Sequence, residues 1–139
     1  MTADPLLAIQ TKLKSDTTIT ALVSTRIYRD VLPNSPTLPA IVLTEISDIS
    51  DDDSNTDCHA HVRIQTTVFS SGVASGEASS ISKVIRKSLH NMVNTSLATS
   101  GDYVYVVSCQ DAGASRDVNL DVSPKIWMMH RDFMIEYSY

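Results

Sequence analysis

The sequence predicts an α+β fold: a four-stranded, mainly antiparallel sheet with one long helix packed across it and short N-terminal helices. Three observations predict it. Apolar residues recur at helical spacing behind two capping residues, Asp4 and Asp16. Four β-prone segments, at residues 40–47, 58–69, 103–109 and 125–139, carry strand-like apolar patterns. Between the second and third of these, one helical stripe runs from Ala78 to Met92.

The first helix opens with Asp4 as its cap and Pro5 at the first helical position, where a missing amide costs nothing. Leu6, Ile9 and Leu13 share a face, with Leu7 beside it. Ser15 and Asp16 interrupt that helix, and Asp16 caps a shorter one whose Ile19, Leu22 and Val23 face inward. Helices this short are marginal alone, so packing on a sheet must hold them. Residues 26–30 read as a brief strand or extended arm. Pro33, Pro36 and Pro39 then stiffen the chain and remove amide donors, which suits a sheet edge or a subunit boundary and not a sheet interior.

In residues 40–47 both parities are apolar, Val42 and Ile46 on one and Ile41 and Leu43 on the other, as in a strand covered on both faces. Residues 47–57, SDISDDDSNTD, read as an acidic loop. The strand at 58–69 is the cleanest, with Val62, Ile64 and Val68 alternating with His61, Arg63, Gln65 and Thr67. Ser75 is the expected cap of the long helix, whose stripe is Ala78, Ile81, Val84 or Ile85, Ser88 or Leu89, and Met92. In the third strand Tyr103, Tyr105, Val107 and Cys109 fall on one face, Val104 and Val106 on the other. Residues 111–124 read as a connection. The last strand sets Trp127, Met129, Phe133, Ile135 and Tyr137 on one parity, interrupted by Arg131.

A chain of 139 residues has the length of one domain around one core, here residues 1–139. The net charge of −5 argues against duplex binding by phosphate neutralisation, yet suits a wall past which DNA moves without sticking. Cys58 and Cys109 form neither a disulfide framework nor a zinc pattern. No apolar run approaches membrane-spanning length, and MTADPLLAIQ lacks the basic and apolar parts of a secretion signal.

Candidate chemistry concentrates in DDDSNTDCHAH, which gathers Asp51, Asp52, Asp53, Asp57, Cys58, His59 and His61. His59 and His61 share a strand face, so both imidazoles can reach one ion. A metal-dependent hydrolase using His59, His61 and a nearby Asp is therefore one alternative function, and a small adaptor domain another. Against the metal, no third ligand has matching spacing, and the run lacks the Gly and final Glu of an EF-hand. Neither a GxSxG elbow nor a phosphate loop ending in GK[ST] is present. Cys109 reads as a small core residue. No catalytic, cofactor-binding or metal-ligating residue is assigned, and no enzyme activity is expected.

Read in order, the chain has a short helix, a polar gap, RIYRDVLPNSPTLPAIVLTEIS, an acidic loop, HVRIQTTVFS, and the helix ASSISKVIRKSLHNM. This resembles the tail-completion, or tail-terminator, family of long-tailed (siphovirus-like) bacteriophages over nearly the whole chain, most strongly over residues 21–89. Arg26, Ile27 and Tyr28 match the family's word after the first helices. Pro33 and Pro39 match its prolines, and residues 41–47 its following strand. Arg63, Ile64, Gln65 and Val68 match its central strand, and Ile81, Val84, Ile85 and Leu89 its helix face. Ala40 departs from the family's usual aromatic, and the triple aspartate is more acidic than the usual connection.

The resemblance implies a structural virion protein that caps the tail tube, ends its polymerisation and joins the tail to the head connector. It implies a ring of identical subunits, expected as a hexamer, touching the major tail tube protein and a head connector or stopper protein. DNA would pass through without specific binding, and neither cofactor nor membrane is implied. The protein would sit at the head-proximal end of the virion tail, after assembly in the host cytoplasm. Interface candidates are Arg26, Tyr28, Pro33 and Pro39 on the proline arm, with Asp51, Asp52 and Asp53 on the acidic run. A preordered arm poor in donors can lie on a neighbour at small entropic cost. It can equally cross one edge of its own sheet.

Overall fold

In a computed structural model, the structure describes residues 4–50, 59–72, 75–99 and 102–138. Six strands form one sheet in the order β1-β2-β3-β6-β5-β4, and three helices accompany it. The elements are α1 (Pro5–Ser15), α2 (Thr17–Val23), β1 (Ile27–Arg29), β2 (Ala40–Ser50), β3 (His59–Ser71), α3 (Gly76–Leu89), β4 (Val93–Thr99), β5 (Asp102–Asn119) and β6 (Ile126–Ser138).

The expected four-stranded sheet with one crossing helix is thereby corrected to a six-stranded, mixed half-barrel with three helices. The arm at 27–29 joins the sheet, pairing parallel to β2 through Ile27 with Ile41 and Arg29 with Leu43. Strand β4 lies in a stretch with few apolar residues: Leu97 is buried while Val93 is exposed. Residues 111–119, expected as a connection, continue β5 and pair with β6 from Asp111 with Phe133 to Asn119 with Ile126. Strand β2 likewise runs to Ser50, past the start of the expected acidic loop. Bulges between Val106 and Ser108 and between Asp111 and Ala114 reset the parity of β5. Val104, Val106 and Cys109 therefore share the buried face, which simple alternation does not allow.

At the N-terminus both expected caps hold, and Ile19 and Val23 are buried, but Leu22, expected to face inward, is 42% exposed. Asp4 accepts from the Leu6 amide at 2.9 Å, and Asp16 accepts from the amides of Thr18 and Ile19 at 2.9 and 3.4 Å. Ser75 occupies the cap position of α3 without a side-chain capping bond; its hydroxyl accepts instead from Arg116 Nη1 at 3.2 Å.

The helices pack on one face of the sheet. Helix α1 touches both edge strands, β1 and β4, and therefore fills the hollow of the curved sheet. Leu6, Ile9 and Leu13 meet Ile27, Ile41 and Leu43 from one side and Leu97 and Val104 from the other in one core. Helix α3 lies against β3, β6 and β5 with Ala78, Ile81, Ile85 and Leu89 buried.

Arg131 breaks the apolar parity of β6 because it faces α3. Its Nε donates to Ser82 Oγ at 3.0 Å and its Nη1 to Asp111 Oδ2 at 2.6 Å. Arg86 on α3 donates to the same carboxylate oxygen at 2.8 Å. The side chains of Arg131 and Asp111 are only 13% and 12% exposed. Burial pushes the Asp111 pKa up, but hydrogen bonds from the Gly113 amide, Arg86 and Arg131, together with the Arg131 charge, outweigh it, and the net shift is down. A depressed carboxylate stabilises the fold above its unfolded pKa, and that stability is lost as pH falls through the folded value. Asp111→Ala is expected to cost about 3 kcal/mol in urea unfolding at neutral pH, by stranding Arg131. The gap to the parent protein should close in acid.

Candidate tail-assembly surface

The proline arm and β1 together build a groove at one lateral edge of the sheet. The chain leaves β1 through Asp30, whose φ of 70° lies in the left-handed region that Asp tolerates. The Val31 amide then donates back to the Arg29 carbonyl at 2.8 Å. Val31, at 72% exposed, projects into solvent beside an exposed Pro33. Gln10 of α1, Tyr28, Arg29, Asp30, Val31 and Pro33 line a groove of about 420 Å³.

This edge is short and its polar backbone is largely occupied. The Ile27 amide donates to Thr25 O at 2.8 Å, and Gln10 Nε2 donates to Ile27 O at 2.8 Å. An edge strand satisfied in this way is a poor template for another strand, so partners must meet it through side chains.

Each expected interface residue can now be placed. Arg26 is half-buried and donates from Nε to Pro39 O at 2.9 Å, tying the two ends of the arm together. Tyr28 and Pro33 line the groove, Tyr28 half-buried and Pro33 exposed. Asp51, Asp52 and Asp53 lie outside the described residues, as does Cys58. Gln10 and Val31 were not anticipated. The exposed valine next to three closely spaced prolines was the available signal for one; nothing in the sequence links Gln10 to a strand 17 positions away.

Carboxylates crowd beside this edge. Arg29 Nη1 lies 3.6 Å from Asp4 Oδ2, and Tyr137 Oη donates to Asp48 Oδ2 at 2.7 Å. Partial burial, then the charges of Asp48, Asp4 and Asp30, raise the Glu45 pKa.

The opposite, helix-free face of the sheet carries a polar cluster. Arg63 and Gln65 donate to the Asp132 carboxylate at 2.9 and 3.0 Å, and Thr67 lies 3.0 Å from His130 Nδ1. Arg63, Gln65, His130 and Asp132 border a shallow depression of about 250 Å³ with Gly113 and Ser115. Among the described residues no group of three or more His, Cys, Asp or Glu can hold a metal ion; the aspartates that the hydrolase reading draws on, Asp51, Asp52, Asp53 and Asp57, lie outside those residues. His61 is half-buried on β3. The Cys109 thiol is pushed up to about 12, by burial first and Asp111 second, so it is not a poised nucleophile. Among the described residues no helix is long and apolar enough to cross a membrane.

Residues 7–117 match a family described as tail completion protein gp17. Among solved structures, a chain of the "Virion of native gene transfer agent (GTA) particle" superposes with a TM-score of 0.68 at 17% identity, over 94% of this chain and 92% of that one. At that identity the likeness speaks for the fold. No curated protein matches.

Two measurements check this chemistry. Glu45→Gln is expected to raise stability at neutral pH, because a carboxylate with a raised folded pKa opposes folding once ionised. The advantage should vanish as pH falls below the unfolded Glu pKa; an advantage that persists in acid would point to packing instead. In a Cys58→Ser background, Cys109 is expected to resist an aromatic disulfide reagent until denaturant is added.

Proposed function

From the premise that the chain belongs to the tail completion protein gp17 family, we propose that it works as one subunit of a ring seated on the tail tube. As a tail-completion protein it is a structural component of the virion, at the head-proximal end of the tail. There it ends tube growth and offers the surface that the head connector joins. The ring, hexameric by family resemblance, contacts the major tail tube protein below and a connector or stopper protein above. It performs no reaction, and DNA crosses its centre without specific binding.

One observation supports this reading most: a stiff, exposed arm over a groove, on an edge strand whose backbone is already occupied. Such an edge accepts a neighbour's side chains and refuses open-ended strand addition, as a terminator requires. Within this assignment Tyr28 and Pro33 touch the neighbour, while the Arg26 to Pro39 bond holds the arm in place. The run Asp51, Asp52 and Asp53, between β2 and β3, is assigned to the inner or tube-facing rim, where negative charge keeps phosphates from adhering.

Complementation in cells producing tails without this protein tests the assignment. Tyr28→Ala is expected to keep the parent's circular dichroism while yielding overlong or headless tails. Arg26→Ala should lose roughly 1–2 kcal/mol of stability from the broken arm clasp. Parent-like tail length and head joining with Tyr28→Ala would remove Tyr28 as a contact.

A further inference from the structure

We propose that the groove on β1 receives the β5–β6 hairpin tip of a second copy of this chain, a head-to-tail contact that rests on the ring reading above. The two surfaces lie on opposite sides of the sheet. Strand β1 is one edge of the strand order. On the far side β4 pairs with β5 only from Val93 with Ser108 to Thr99 with Asp102. Beyond that, the distal half of β5 is itself the sheet edge, paired with β6 as far as Asn119 with Ile126, while β3 flanks β6 as far as Ser71 with Ile126, and the β5–β6 hairpin closes just past this end. Its tip carries Leu120 at 65% and Val122 at 38% exposure. Two aliphatic side chains thus stand exposed on one turn.

The groove complements that tip in apolar character and in charge. Val31, Pro33 and the Tyr28 ring supply an apolar surface beside a hollow of about 420 Å³. Arg29 and Asp30 lie on it, while on the tip Asp121 lies between Leu120 and Val122 and Lys125 follows three residues later. Pairing Arg29 with Asp121 and Asp30 with Lys125 matches opposite charges around an apolar centre, the anatomy of a specific interface. The tie of Arg29 to Asp4 is long at 3.6 Å between half-exposed side chains, so exchanging it for a new partner costs little. A contact between two unlike patches is heterologous and generates a ring when its rotation closes.

The experiment uses Val31→Asp as a groove variant and Leu120→Asp as a tip variant, each checked for parent-like circular dichroism. Both sites are exposed, so folding should persist. Native mass spectrometry and sedimentation velocity are run on the parent protein, each variant and an equimolar mixture. The parent is expected to form closed oligomers at high concentration, and each variant alone to associate at least tenfold more weakly. The mixture should form 1:1 heterodimers and nothing larger, because only one sound groove and one sound tip remain. Parent rings that either variant forms equally well overturn this interface and leave the ring reading intact. A mixture without heterodimers also overturns it. A parent protein that forms no ring, either free or on isolated tail tubes, overturns both.

Discussion

Helix α1 is the constraint on which the rest of the molecule depends. It reaches both lateral strands, β1 and β4, and its Ile9 and Leu13 are almost wholly buried. A twisted six-stranded sheet can flatten, roll shut or hold a curve around something, and α1 supplies the something. The position of β1 follows from it. Gln10 on α1 holds the Ile27 carbonyl, so the edge that carries the groove is fixed by the helix filling the hollow. Function at the rim thus depends on packing in the centre.

The second organising element is ionic. Arg131, Asp111 and Arg86 join β6, β5 and α3 where an apolar residue on β6 would have continued the core. Replacing such a cluster with well-packed hydrophobes is often neutral for stability, so its value is in fixing position. Asp111 sits at the β5 bulge beside Gly113, whose φ of 111° is reached readily only by glycine. The cluster pins α3 over that irregularity, and His90 at the end of α3 accepts from the Asp111 amide at 3.1 Å. Helix α3, the bulge and the β5–β6 pair thereby share one anchor.

Much of this was legible in the sequence, for identifiable reasons. Asp4 and Asp16 announced their helices because capping is a local interaction between neighbours in the chain. Val62, Ile64 and Val68 announced β3 because it is regular and has one buried face. Strand β4 stayed hidden because pairing with β5 holds it more than its own apolar content. The distal half of β5 read as a loop because Gly113, two small alanines and charges are what a bulged, solvent-facing edge tolerates. Arg131 registered as an interruption, but its partner Asp111 lies 20 positions away and only folding brings them together. The groove was half legible: the prolines marked an arm, whereas Gln10 and the course of β1 depend on the tertiary fold.

The unlike lateral edges of the sheet have a consequence for orientation. One edge is a three-residue strand with its backbone largely occupied, and the other is formed by β4 and then by the distal half of β5. Subunits joined edge to unlike edge cannot alternate up and down; every copy must point the same way. The closed assembly then has a top and a bottom of different chemistry, although one polypeptide makes both. A collar with such polarity can seat on a tube through one rim and present the other to a different protein. Direction along the particle is thus already encoded in the asymmetry of a single sheet.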